Sequence, residues 1–121
     1  MHEASVTADI ADAVMDELSR RSVKKVNEVT IVVGDLTMLL DEQMQFAWEV
    51  LSQGTPLEGS VLTIKHEPIE VRCEACGYEG PVRNVDLGGT EAPLLSCPEC
   101  GGRIEVVKGS ACRIESFDIE E

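Results

Sequence analysis

The chain has 121 residues, so one compact core is the first expectation, and its few aromatics (Phe46, Trp48, Tyr78 and Phe117) leave that core to Val, Ile and Leu. Lys and Arg number 10 against 23 Asp and Glu, a formal net charge of −13. Such a surface repels nucleic-acid phosphates and anionic lipid, and favours metal cations or basic protein partners. No apolar run approaches a membrane span and no charged-then-apolar leader opens the chain, which leads us to expect a cytoplasmic protein.

Residues 4–21, ASVTADIADAVMDELSRR, repeat apolar side chains at Val6, Ile10, Val14 and Leu18, with Ala11 and Ala13 alongside. That spacing predicts a helix. Asp9, Asp12, Asp16 and Arg20 fill the opposite side, and Arg20 and Arg21 are expected in the last turn, where cations suit the dipole. KKVNEVTIVVGDLT follows, dense in β-branched residues at Val26, Val29, Ile31, Val32 and Val33, and predicts a mostly buried strand ending at Gly34.

DEQMQFAWEVLSQGT predicts a second helix, with Asp41 as N-cap or first-turn anion and Gly54 as its stop. Met44, Ala47, Trp48 and Leu51 share one face at helical spacing. SVLTIKHEP alternates and predicts a strand with Leu62, Ile64 and His66 on one side, broken at Pro68. His66 is not assigned as a ligand. The segment RIEVVKGSACRIESFDIEE predicts two short strands hinged at Gly109, the last returning to the first sheet. The expected fold class is α+β: a small mixed sheet with two helices packed on it, plus an inserted zinc-ribbon-like four-cysteine module. The expected division is 1–69 with 104–121 for the α/β domain and 70–103 for the module.

CEACGYEG and CPECGG carry the strongest chemical signal. Cys73 with Cys76, and Cys97 with Cys100, form two C-x-x-C pairs that aim four sulfurs at one point, and Gly77 and Gly101 permit the tight turns. Two such knuckles make a closed tetrahedral cage with no open coordination position, hence a structural metal. Zinc and iron both accept four thiolates. The pattern also resembles rubredoxin iron knuckles, but those surround their iron with aromatics and only Tyr78 is available, so Zn(II) is expected. Four thiolates leave the cage negative even with a divalent ion. Between Cys73 and Cys100 the only basic residue is Arg83, against Glu74, Glu79, Asp86, Glu91 and Glu99, so no nucleic-acid contact is expected. Cys112 stands outside the cage, and a small buried hydrophobe on a strand is its default role.

The opening MHE raises a second metal question. The Met1 α-amine, the backbone nitrogen of His2 and a His2 ring nitrogen can close fused chelate rings on one cation. Such nitrogen-rich, square-planar sets suit Ni(II) or Cu(II). Glu3 and Asp41 are candidates to complete the site. The competing reading is a frayed terminus that binds nothing. There is no Gly-rich phosphate loop, no H-E-x-x-H and no local Ser/His/Asp signature, so an enzyme is not expected.

Together these features resemble the HypA/HybF family of hydrogenase nickel-incorporation proteins, in an archaeal-like form. The resemblance runs through MHE, IVVGDL, FAWEVLSQGTPLEGSVLTI, the CEACG and CPECG knuckles, VVKG and the acidic tail FDIEE. It implies a nickel metallochaperone for [NiFe]-hydrogenase assembly. Its labile Ni(II) site would use His2, with Met1 or Glu3 and Asp41 as candidate further ligands, and its structural Zn(II) would sit on Cys73, Cys76, Cys97 and Cys100. The implied partners are the family's GTPase nickel chaperone and the hydrogenase large-subunit precursor, with a homodimer as an allowed assembly and no nucleic acid or membrane. Some relatives also serve urease. The stretch between the knuckles, GYEGPVRNVDLGGTEAPLLS, is longer than in many bacterial members and holds no histidine. The nickel-binding histidine that some long-linker relatives place there is therefore absent, and the fourth donor stays open among Glu3, Asp41, solvent or a partner. The competing functions are a zinc-ribbon protein–protein adaptor without nickel transfer, or a rubredoxin-like electron carrier.

Overall fold

A computed structural model of the chain describes residues 2–120. In chain order the elements are α1 (Glu3–Leu18), β1 (Lys25–Gly34), a 3-10 turn (Asp35–Thr37), α2 (Asp41–Ser52), β2 (Val61–Glu67), β3 (Glu70–Cys73), β4 (Glu79–Pro81), β5 (Asn84–Asp86), β6 (Glu91–Pro93), β7 (Ile104–Lys108) and β8 (Cys112–Glu120). They gather into two compact units. Gly34–Thr37 and His66–Ala111 form the second, and the other described residues form the first.

The first unit is built on a sheet of order β2-β1-β8, with β1 and β8 antiparallel and Val29 opposite Phe117, Ile31 opposite Ile114. β1 is buried almost without interruption from Val29 onward, as its β-branched run predicts. Against it lie Ile10, Ala11, Val14 and Leu18 of α1 and Met44 and Trp48 of α2. Burying these aliphatic side chains is the main stabilising contribution, roughly 1.5–3 kcal/mol for each large one. Trp48 adds a polar tether, its Nε1 donating to Ser60 Oγ at 2.9 Å.

Several expectations shift by a few residues. α1 starts one residue earlier, at Glu3, and ends at Leu18, so Arg20 and Arg21 lie beyond it. They fold back instead as ion pairs, Arg20 to Asp16 and Arg21 to Glu17, each at 3.3 Å. Ala13 points to solvent, while Thr7 takes a place in the core because its hydroxyl donates to the Glu3 carbonyl at 2.6 Å. On α2, Met44 and Trp48 are buried, but Leu51 is 39% exposed.

The second unit holds a sheet of order β4-β3-β7. Val71 is its fully buried centre, facing Val106 across the β3–β7 ladder and Gly80 across β3–β4. Arg72, half-exposed, reaches Glu105 at 3.1 Å and Glu79 at 3.8 Å. The first of the two expected C-terminal strands thus pairs within the cysteine unit, and only β8, nine residues long, joins the sheet of the first. A Cβ on Gly34 would collide with the Gly109 backbone. This close approach, with Leu36 N–H donating to the Gly109 carbonyl at 2.9 Å, is why glycine ends β1. The stretch between the knuckles carries a β5–β6 hairpin for which no strand was expected.

Candidate metal centre

The two C-x-x-C-G segments fold into matching knuckles. Cys73 N–H donates to the Tyr78 carbonyl and Cys97 N–H to the Gly102 carbonyl, while Gly77 N–H and Gly101 N–H donate back to Cys73 and Cys97. Both glycines occupy the left-handed region, φ +78° and +74°, which only glycine enters without strain. The knuckles bring four sulfurs within 4.8 Å of one another, with Cys73 Sγ to Cys100 Sγ at 3.6 Å and Cys76 Sγ to Cys97 Sγ at 3.5 Å. A tetrahedral ion with metal–sulfur bonds of about 2.3 Å needs sulfur–sulfur edges of roughly 3.8 Å. The four side chains therefore fit such an ion. A disulfide, at about 2.05 Å, does not match, and none of the five cysteines is paired in one.

The electrostatics of the four thiols point the same way. The Cys76 and Ala75 N–H groups, aided by Cys100 and outweighing burial, pull the Cys73 thiol down to about 7. Cys76 goes the other way, to about 12: hydrogen bonding from Tyr78 N–H lowers it, but the Cys97 sulfur, burial and the two remaining sulfurs outweigh that. Four close sulfurs share negative charge poorly until a cation neutralises them. Cys112 lies outside, half-buried on β8, where burial raises its thiol.

The N-terminal candidates sit in the first unit. Met1 lies outside the described residues. His2 is the N-cap of α1, with extended backbone (φ −118°, ψ 134°) and its Nδ1 accepting from Ala4 N–H at 3.3 Å. Histidine can cap in this way because a neutral ring protonated on Nε2 leaves Nδ1 as an acceptor. Glu3 opens the helix, and its Oε2 accepts from Leu40 N–H at 2.9 Å. That bond, followed by one from its own N–H, holds the Glu3 carboxyl below the usual carboxylate range. Leu40 is the N-cap of α2 and Asp41 its first residue. His2, Glu3, Asp41 and Glu42 thereby line one open cleft of about 940 Å³, whose apolar wall includes Leu40 and Phe46. Phe46 is 69% exposed.

Sequence reasoning missed the capping roles of His2 and Glu3. A signal existed, since the Met-Leu-Leu before α2 offers no capping side chain of its own. His66 belongs to the second unit, 3.7 Å from Asp35, and does not line the cleft. Among the described residues, the four cysteines are the one group of three or more metal-ligating side chains placed to hold an ion.

These features define a small α+β metal-binding protein, with a closed sulfur cage in one unit and an open, histidine-bearing cleft in the other. The family model described as hydrogenase/urease nickel incorporation, metallochaperone, hypA matches residues 1–119. The hydrogenase maturation factor HypA of Methanothermobacter thermautotrophicus is 40% identical, over 100% of this chain and 98% of its own. That of Methanopyrus kandleri is 34% identical, over 99% and 94%. The solution structure of the Ni metallochaperone HypA from Helicobacter pylori superposes with a TM-score of 0.67 at 19% identity, covering 98% of this chain and 97% of that one. The chain belongs to the HypA family of nickel metallochaperones for hydrogenase maturation.

Proposed function

We propose that this chain loads Ni(II) at its N-terminus, in the cleft of the first unit, and keeps Zn(II) in the cysteine cage of the second. The observation that carries this reading is the convergence of His2, Glu3 and Asp41 on one open cleft, in a different unit from the closed cage. Nickel is the cargo. The Met1 amine, the His2 backbone nitrogen and His2 Nδ1 supply three nitrogens in fused rings, and the last place falls to Glu3, Asp41, solvent or a partner. Binding at Nδ1 takes the lone pair that caps Ala4 N–H, so loading exchanges a helix cap for a metal bond. A terminus can make that exchange and reverse it, which suits release to an acceptor.

Zinc on Cys73, Cys76, Cys97 and Cys100 has no exchangeable position and holds β3 and β7 together. Delivery is by ligand exchange, with no bond of a substrate made or broken, so the chain works as a carrier rather than an enzyme. The acceptors are the pathway's GTPase nickel chaperone and the hydrogenase large-subunit precursor, in the cytoplasm. No helix among the described residues is long and apolar enough to cross a membrane. The test is nickel titration of tag-free protein against His2→Ala and against a chain extended before Met1. Both changes should abolish tight nickel binding and leave zinc in place. Unchanged nickel affinity in either variant removes the terminus from the site.

A further inference from the structure

We infer that Glu3 is a positioning residue of the nickel site and not one of its donors. This rests on the N-terminal reading of nickel binding above. α2 starts with Leu40 at its N-cap, and no side-chain hydrogen bond from that residue satisfies the helix. A helix N-terminus leaves several N–H groups without intrahelical partners. In a capping box the N-cap N–H is taken by a carboxylate three residues further on. Here Glu3 does that work from another helix, 37 residues away, with Oε2 on Leu40 N–H at 2.9 Å.

Glu3 is pinned at both ends. Its carbonyl accepts from the hydroxyl of Thr7, which is fully buried, and its carboxylate is docked on α2. The consequence for the site follows from chain connectivity. His2 precedes Glu3 and Asp41 follows Leu40, so within the packing of α1 on α2 the Glu3–Leu40 bond ties the two helix starts that carry His2 and Asp41 to the same cleft. Moving Oε2 onto nickel would break that bond, uncap α2 at the positive end of its dipole and release the tie that aligns the ligands. Glu3 therefore holds the two sides of the site in register, with Oε2 committed to Leu40.

The test compares Glu3→Ala with Glu3→Gln in the full chain with its native terminus. The Gln side-chain oxygen still accepts from Leu40 N–H but is a poor nickel donor. In Glu3→Ala, nickel affinity should fall about tenfold, as for loss of a residue that orients a ligand. The Leu40 amide of nickel-free protein should exchange roughly fivefold faster, as for loss of a cap. The donor set read at the nickel X-ray absorption edge should stay the same. Glu3→Gln should restore both affinity and protection to within about threefold. Gln losing as much affinity as Ala, with an altered donor set, would make the carboxylate a ligand and overturn the inference. So would an Ala variant that changes neither affinity nor exchange. Unchanged nickel binding in His2→Ala would instead remove the N-terminal site, while the exchange difference at Leu40 between Ala and Gln would persist and separate that failure from this one.

Discussion

The cysteine cage and the N-terminal cleft solve opposite problems with the same kind of material. The cage takes its donors from two separate knuckles and fixes each by backbone hydrogen bonds and a left-handed glycine, so that four sulfurs already lie at metal-binding separation. The cleft, in the function proposed, would take its donors from the end of the chain and the start of a helix, and one of them, His2 Nδ1, is engaged as a helix cap. Preorganisation makes the cage a place to keep an ion. The cleft, which would break a weak bond to bind and remake it to release, is in this proposal the place to pass one on.

The sharpest way to break this contrast is Cys97→Ser. Structural zinc contributes on the order of 10 kcal/mol to folding in small zinc modules. Amide protection across β3 and β7 should collapse, while the helices of the first unit stay protected in hydrogen exchange. A second unit that remains protected without zinc would deny the cage its structural role.

Acidification comes next. At pH 8 Cys73, with its thiol lowered from the ordinary 9.0 to about 7, is mostly thiolate, and Cys76, raised to about 12, is not. Zinc must displace the remaining protons, so its apparent affinity should fall by several orders of magnitude between about pH 8 and 6. In the metal-free chain the sign for Cys73 is that of any depressed acid. Its stabilising contribution is present above 9 and is lost as the pH falls through about 7. Competition with a zinc chelator across this range reads the effect, and a flat profile would argue against thiolate ligation.

His2→Ala should cost at least about a hundredfold in nickel affinity, more than loss of an orienting neighbour, with zinc content unchanged by metal analysis. Loss of both metals together would mean that the sites are not separate. The smallest effect is expected for Gly77→Ala. A Cβ there meets nothing within 4 Å, so only the left-handed backbone at φ +78° resists it. Thermal unfolding should report about 1 kcal/mol, and a much larger loss would mean that the knuckle is less tolerant than its open surroundings indicate.

How much of this was legible in the sequence depended on how local each feature is. Cys-x-x-Cys-Gly specifies its own turn within five residues, and the cage was readable from spacing. The periodicity of α1 and the β-branched run of β1 are equally local, and both elements formed, β1 ending at Gly34 as expected and α1 stopping at Leu18, short of residue 21. Arg20 and Arg21 were misplaced because the last turn ended at Leu18, and side-chain ion pairs took the role assigned to the dipole. On α2, apolar residues occupy more than one face, and periodicity could not say that Met44 and Trp48 face the core while Phe46 and Leu51 face solvent. The β5–β6 hairpin has strands of only three residues, too short to show a period, and its turn, Asp86-Leu87-Gly88-Gly89, was taken for linker. The Glu3–Leu40 bond was invisible for a plainer reason: it joins residues 37 apart, and only tertiary packing of α1 on α2 brings them together.

The central claim is that two metals occupy two chemically distinct sites, one keeping and one passing. It is tested most directly by nickel-edge and zinc-edge X-ray absorption on tag-free protein loaded with both ions. The account predicts zinc surrounded by sulfur alone and nickel bound by nitrogen and oxygen donors with no sulfur. Sulfur in the nickel shell, or zinc with nitrogen ligands, would contradict it.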